Sequence, residues 1–194
     1  MRPHSRHRME VSMDSRFELR LSGAGGHGLL LAGKVIAEAA VIYDGRTATQ
    51  AQSYGPEARG GISRSDVVIS DGDIDFPVAT KLDFLLAMTQ ESIDAYAKDV
   101  KDGGTVLVDS GLVESVPEGN YRVVSAPILE TARDRVGRPI TANLVAVGLI
   151  AGLTDVVTVS ALESAVRARV PRGTEDANLT AFHAGLELSE EFRS

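Results

Sequence analysis

Short apolar runs of strand length alternate with longer segments of helical period along this chain. That pattern belongs to an α/β sheet covered by helices on both faces. A first strand spans about residues 18–22, gives way to Gly23-Ala24-Gly25-Gly26-His27-Gly28, and is followed by a helix over about 29–40. A second strand covers about 47–53. The next, 64–70, returns after a loop too short for a helical crossover, which makes those two strands antiparallel neighbours. Residues 82–88 are a nearly continuous apolar run, as in a central strand buried on both faces. Thr89 caps a helix that runs to about Asp99, and Gly103-Gly104 ends that unit. Further strands follow at 105–109 and 121–125, and the remainder is helical over about 128–136, 143–153, 160–170 and 176–192. Residues 143–152 are apolar nearly all round, so that helix is buried, either in the core or against another subunit. Ala142, Ala146, Gly148, Ala151 and Gly152 leave room there for another backbone. The predicted fold is a Rossmann-like mixed sheet, mostly parallel, with helices on both faces and a helical C-terminal part.

Gly23, Gly25 and Gly28 hold the G-x-G-x-x-G spacing between a strand and a helix. Glycines there permit positive φ and let a backbone or a phosphate come close, so a side chain at Gly25 is expected to clash with backbone or ligand. The free N–H groups of the helix N-terminus favour an anion. A close-packed turn without a ligand fits the same residues. The second informative stretch is Gln50-Ala51-Gln52-Ser53-Tyr54-Gly55-Pro56-Glu57-Ala58-Arg59-Gly60-Gly61. A dinucleotide site wants an acid at the end of its second strand, roughly 20 residues past the glycines. Residues 47–54 carry none, and Asp44, beside Gly45, reads as a turn residue. The first motif therefore points to a phosphate-friendly turn, and the second argues against an ordinary dinucleotide site.

Composition narrows the chemistry. The 194 residues fit one domain. Residues 1–15 are rich in arginine and poor in apolar groups, so a disordered tail is expected there, with the domain over 16–194. A net charge of -7 argues against a nucleic-acid partner. With no cysteine, the chain holds no disulfide, thiolate nucleophile or cysteine-ligated iron–sulfur cluster. His4, His7, His27 and His183 lack zinc spacing, so no metal site is expected. No segment approaches the roughly 18 apolar residues needed to span a membrane. A cytoplasmic location without a membrane partner is expected.

With these motifs, the chain resembles the gamma subunit of 2-oxoacid:ferredoxin oxidoreductases, the enzymes of pyruvate, 2-ketoisovalerate and 2-oxoglutarate. The resemblance is carried by residues 23–28, by Ser53-Tyr54-Gly55-Pro56-Glu57-Ala58-Arg59-Gly60-Gly61, and by Ser65-Asp66-Val67-Val68-Ile69-Ser70. Gly103-Gly104 before a strand and Asn143 opening an apolar helix also fit. The likeness covers about residues 16–192, and the Ser-Tyr-Gly-Pro string looks most like the 2-oxoglutarate branch. It implies a holoenzyme that decarboxylates a 2-oxoacid on thiamine diphosphate, reduces ferredoxin and transfers the acyl group to coenzyme A. This chain would be a subunit, inactive alone. It would hold no cofactor by itself; thiamine diphosphate and the clusters would sit in alpha, beta and ferredoxin-like partner subunits. An NAD(P)-binding dehydrogenase domain and a non-catalytic assembly module are the competing readings.

The candidate ligand-binding residues are Gly23, Gly25, Gly26, His27, Gly28, Tyr54, Arg59, Gly60 and Gly61; no catalytic residue is assigned. Arg59 offers a planar guanidinium to a carboxylate or phosphate, or else pairs with Glu57 or another subunit. Tyr54 is either a hydrogen-bonding contact or a packed aromatic. Arg64 and Asp66 share one face of a strand. His27 stands where the family commonly has Gln; it still donates and accepts hydrogen bonds, and a contact through it would become pH-sensitive. If the strands feeding the two glycine loops lie side by side and parallel, both loops share one rim, where open α/β sheets bind ligands.

Overall fold

The computed structural model describes residues 16–54 and 61–193. The expected tail, together with Glu57, Arg59 and Gly60 and the side chain of Tyr54, lies outside the described residues. The described residues form one six-stranded sheet in the order β2-β3-β1-β4-β5-β6. Its strands are β1 (Phe17–Ala24), β2 (Thr47–Tyr54), β3 (Ile62–Ser70), β4 (Leu82–Ala87), β5 (Val100–Asp109) and β6 (Arg122–Ala126). β1, β4, β5 and β6 run parallel, with Leu21 opposite Leu86 and Leu86 opposite Leu107. β3 is antiparallel to both of its neighbours, as the short return after β2 predicts.

The two strands that feed the glycine loops are not side by side. β3 stands between them, with Ala24 of β1 opposite Ile62 on one edge and Tyr54 of β2 opposite Ser63 on the other. The short connection from β2 brings the chain straight back as β3, and β1 takes the free edge of β3. β1 and β2 still point the same way, so their carboxyl ends reach one rim, as does the start of β3. A Rossmann pairing of β1 with a parallel β2 is absent.

The helices are α1 (Leu29–Glu38), α2 (Gln90–Tyr96), α3 (Ile128–Asp134), α4 (Ala142–Leu153), α5 (Val159–Arg169) and α6 (Glu175–Ser189). α1 continues as one π turn to Tyr43, beyond its expected end at Ala40, and the helix expected to reach Asp99 tightens to a 3-10 turn after Tyr96. Thr89 caps α2 as predicted, accepting from the Ser92 N–H. Gly103-Gly104 lies inside β5 rather than before it. The strand starts at Val100, opposite Leu82, and Gly103 takes φ 79° where the pairing slips between Leu82 and Phe84.

Alternate strand residues divide between two cores, as the pleat requires. Leu19, Leu21, Val67, Ile69, Phe84, Leu86 and Leu107 face α1, α3, α4, α5 and α6. Val68, Leu85, Ala87, Val106 and Val108 face Ile93 and Ala97, in α2 and the turn after it. On that second side β1 is polar. Arg20 is 3% exposed and forks onto Asp66, its partner across β3, at 2.7 and 2.9 Å. The same guanidinium reaches Asp99 at 2.8 Å and the Ala79 carbonyl at 3.1 Å, and lies 4.7 Å from the centroid of the Tyr96 ring. Burial alone would lower its pKa; the carboxylates of Asp66 and Asp99 more than reverse that. Arg64, which shares this face with Asp66 as its spacing predicts, approaches it only to 4.0 Å, outside the fork of Arg20.

Every residue of α4 from Ala142 to Gly152 is buried, within the core of this chain. α4 and α6 touch backbone to backbone: a Cβ on Gly148 would overlap the Phe182 carbonyl, and one on Gly185 would overlap the Val145 carbonyl. Glycine is normally the weaker helix former, by about 1 kcal/mol relative to alanine. Gly148→Ala and Gly185→Ala are expected to reverse that sign and destabilise by about 1–3 kcal/mol through overpacking. Urea denaturation measures this, and a raised midpoint for either variant would contradict the contact.

Candidate functional site

The chain leaves β1 at Ala24 and enters α1 at Leu29, at the carboxyl ends of the parallel strands. α1 packs on one face of the sheet, while α2, which follows β4, packs on the other. The connections thus diverge between β1 and β4, where open α/β sheets form their ligand crevice. The turn itself is tight. The His27 N–H donates to the Ala24 carbonyl at 3.3 Å, and the Ala24 N–H donates to Nδ1 of His27, also at 3.3 Å.

The glycines of the motif have separate reasons to be there. Gly26 and Gly28 take φ 89° and 69°, the left-handed region that favours glycine. A Cβ on Gly28 would also lie 2.6 Å from Nδ2 of Asn143, whose amide donates to the Gly28 carbonyl at 3.1 Å. Gly23, still in β1, is a close approach: its Cβ would lie 2.7 Å from Nδ1 of His27 and 3.0 Å from Cβ of Met88. Gly25 has neither reason. It is exposed, it lacks a positive φ, and no described atom lies within 4 Å of where its Cβ would be. The expected clash of a Gly25 side chain with the protein's own backbone is therefore not found among the described residues. Among the described residues nothing faces Gly25.

A cavity of about 230 Å³ opens between the turn and the start of β3, lined by Gly25, Gly26, Gly28, Gln52, Ser63 and Arg64. A second, of about 280 Å³, lies on the α4 and α6 side, with Arg138, Ile140, Asn143 and Asn178 in its wall. α1 begins at this rim with Gly28 as its cap, no side-chain acceptor there and no acid in its first turn. That leaves the positive end of its dipole open to an anion.

The structure thus gathers Gly23, Gly25, Gly26, His27 and Gly28 with Gly61, which leads into Ile62 opposite Ala24. The backbone of Tyr54 ends β2 on the far side of Ser63. Arg59 and Gly60 lie outside the described residues. Arg64, half-exposed, also lines the cavity, but its guanidinium lies on the α2 face of β3, 5.6 Å from the Tyr96 ring centroid and 4.0 Å from Asp66. Its spacing signalled only a shared face with Asp66. The strand pairing, which puts it opposite Ser22, brings it to the rim.

Two further residues build the site. Asn143 was singled out only as a helix opener, yet its side chain holds the Gly28 carbonyl. Asp109, at the end of β5 and 1% exposed, accepts from the N–H groups of Gly111 (2.8 Å), Leu112 (3.1 Å) and Leu129 (2.7 Å). Its signal was an acid followed by Ser-Gly at a strand end. Burial pushes the His27 imidazole below the ordinary histidine value, and the Asp109 carboxylate pulls it partly back. Asp44 accepts from the N–H of Thr158 at 2.8 Å and its hydroxyl at 2.7 Å, a turn-and-cap role far from any ribose site. Among the described residues no group of three His, Asp or Glu is placed to hold a metal, and no helix is long and apolar enough to cross a membrane.

Residues 18–188 match the family model described as pyruvate ferredoxin/flavodoxin oxidoreductase. The 2-oxoglutarate synthase subunit KorC of Methanocaldococcus jannaschii is 46% identical over 178 residues, covering 91% of this chain and 95% of that protein. The gamma subunit of a keto/oxoacid ferredoxin oxidoreductase from Geobacter sulfurreducens superposes with a TM-score of 0.83 at 51% identity, over 90% of this chain and 99% of its own. The 2-oxoglutarate:ferredoxin oxidoreductase of Magnetococcus marinus, solved with 2-oxoglutarate, coenzyme A and succinyl-CoA bound, shares the fold alone. Its TM-score is 0.79 at 20% identity, over 91% of this chain and 31% of that one.

The division among the glycines is testable. Gly28→Ala is expected to destabilise by about 1–2 kcal/mol from left-handed strain alone, with displacement of Asn143 added. Gly25→Ala is expected to stay within about 0.5 kcal/mol of the parent, as for a surface change that touches nothing. Denaturation midpoints that fell equally for both would refute the distinction.

Proposed function

The chain belongs to the pyruvate ferredoxin/flavodoxin oxidoreductase family, as the gamma-type subunit of a multi-subunit 2-oxoacid:ferredoxin oxidoreductase; from that premise we propose that its holoenzyme acts on 2-oxoglutarate and that the glycine rim is where this subunit meets coenzyme A. The substrate rests on the 46% identity, over nearly the whole of both chains, to a subunit named for 2-oxoglutarate synthase. The site rests on one observation: Gly25 is a motif glycine that no described part of the chain requires, and it opens onto a cavity bounded by a helix N-terminus and Arg64.

The residues of this chain act by binding and orienting. The N–H groups at the start of α1 attract a phosphate of coenzyme A. The bare backbone at Gly25 lets that phosphate approach, and Asn143 and His27 hold the turn in shape from beneath. Both ends of the loop that carries Arg59 and Gly60, namely Tyr54 and Gly61, reach this rim, which supports Arg59 as the cation there. Thiamine diphosphate, bound in its own subunit, supplies the decarboxylation. We assign it and the iron–sulfur clusters to alpha, beta and ferredoxin-like partners, because this sequence has no Gly-Asp-Gly motif for the first and no cysteine for the second. Ferredoxin is the proposed acceptor and the cytoplasm the proposed location, with no nucleic acid or membrane involved. β3 between β1 and β2, and a β2 without an acid, leave the NAD(P) reading without support.

The complex reconstituted from this chain and its partner subunits is expected to reduce ferredoxin with 2-oxoglutarate and coenzyme A, and the chain alone to reduce no dye. A higher kcat/KM for pyruvate or 2-ketoisovalerate would overturn the substrate. Gly25→Val is expected to leave folding intact and to raise the apparent KM for coenzyme A by about tenfold, or about 1.4 kcal/mol; Arg59→Ala should move it the same way. Unchanged KM and unchanged assembly in both variants would remove the role of the rim. Lost assembly with an unchanged KM would make it a subunit-docking surface instead.

A further inference from the structure

We propose that His27 is a positioning residue: its Nδ1 holds the glycine turn as a hydrogen-bond acceptor, so that the turn keeps its form only while the imidazole is neutral. The inference rests on the rim reading above for its effect on rate, but not for the latch itself. The turn is closed by two hydrogen bonds between the same two residues. One, from the His27 N–H to the Ala24 carbonyl, is independent of pH; the other, from the Ala24 N–H to Nδ1, is not. Accepting at Nδ1 puts the proton of the neutral ring on Nε2. Protonation places a second N–H on Nδ1, pointing at the N–H of Ala24. The Nδ1 edge of the ring lies against Gly23, 2.7 Å from where a Cβ there would be, with Met88 and Leu29 bordering the same spot.

Among the described residues few charges oppose this. Bordering the Nδ1 edge are the apolar Leu29 and Met88, and the amide of Asn143 lies at the adjoining Gly28. From β5 comes Asp109, whose carboxylate favours the charged ring but already accepts three backbone N–H groups. Burial outweighs it and lowers the imidazole pKa. A lowered value fixes the sign. The latch is complete above the ordinary histidine value of about pH 6.5 and is lost as the pH falls through the lower value of the folded protein.

Two measurements test this. In NMR of the full-length chain between pH 8 and 5, the Ala24 amide is expected to shift with the same midpoint as the His27 ring. In His27→Gln, whose side-chain oxygen accepts at any pH, that shift should vanish. A His27 ring that titrates while the Ala24 amide stays still overturns the latch. In the reconstituted complex, the rate of the parent relative to His27→Gln should fall by about threefold to tenfold from pH 7.5 to 5.5, the worth of one net hydrogen bond. His27→Ala should be slow throughout, and His27→Gln should restore the rate. A flat ratio alongside a titrating Ala24 amide leaves the latch standing and instead overturns the rim as the contact with coenzyme A.

Discussion

Backbone contact between α4 and α6 is the constraint from which the rim takes its shape. α4 is buried along eleven consecutive residues, and so must be covered on every side. The sheet covers one side, and α6 covers another at a distance that only Gly148 and Gly185 allow. Once that spacing is set, so is the position of the first turn of α4, and with it the side chain of Asn143. That amide is the strut under Gly28. A contact deep in the helical layer therefore decides how the backbone lies at the surface of the glycine turn.

The motif glycines are unequal parts of one device. Gly23 makes room for the ring beneath the turn, and Gly26 and Gly28 supply left-handed backbone. Gly25 leaves the outer surface bare. Supports come from below, from His27 within the turn and from Asn143 of α4, and among the described residues none covers Gly25. The chain carries a net charge of -7, and its rim nonetheless offers the positive end of a helix. The reach of that local charge is limited to the short range that salt screening permits.

Much of this was legible in the sequence because it is local. Short apolar runs located the strands, the short return after β2 announced an antiparallel pair, and the continuous apolar stretch identified α4 as buried. What stayed hidden depends on distant partners. That β3 lies between β1 and β2 is a matter of strand order, which no spacing records. Arg20 reads as the polar member of an alternating strand, and its burial follows from Asp66, 46 positions away. Gly25 and Gly28 are indistinguishable by motif position; dihedral angle and the reach of Asn143 separate them. Gly103-Gly104 reads as a terminator, yet it sits in a strand because the slip between Leu82 and Phe84 needs one residue of left-handed backbone.

The buried pair of Arg20 and Asp66 also bears on how this sequence can change over time. Removing either partner alone leaves a charge without an answer in the interior, at about 3–5 kcal/mol, while an apolar pair of similar volume is often tolerated as well as the original. A loss of that size is a large share of the stability of an ordinary domain. Single substitutions at either position are therefore close to forbidden, although the double replacement is not. Asp99 and Tyr96 add to the isolation, because they touch the same guanidinium. Lineages that carry the pair are held on one side of a valley that single steps do not cross, and the two positions are expected to be inherited together or exchanged together.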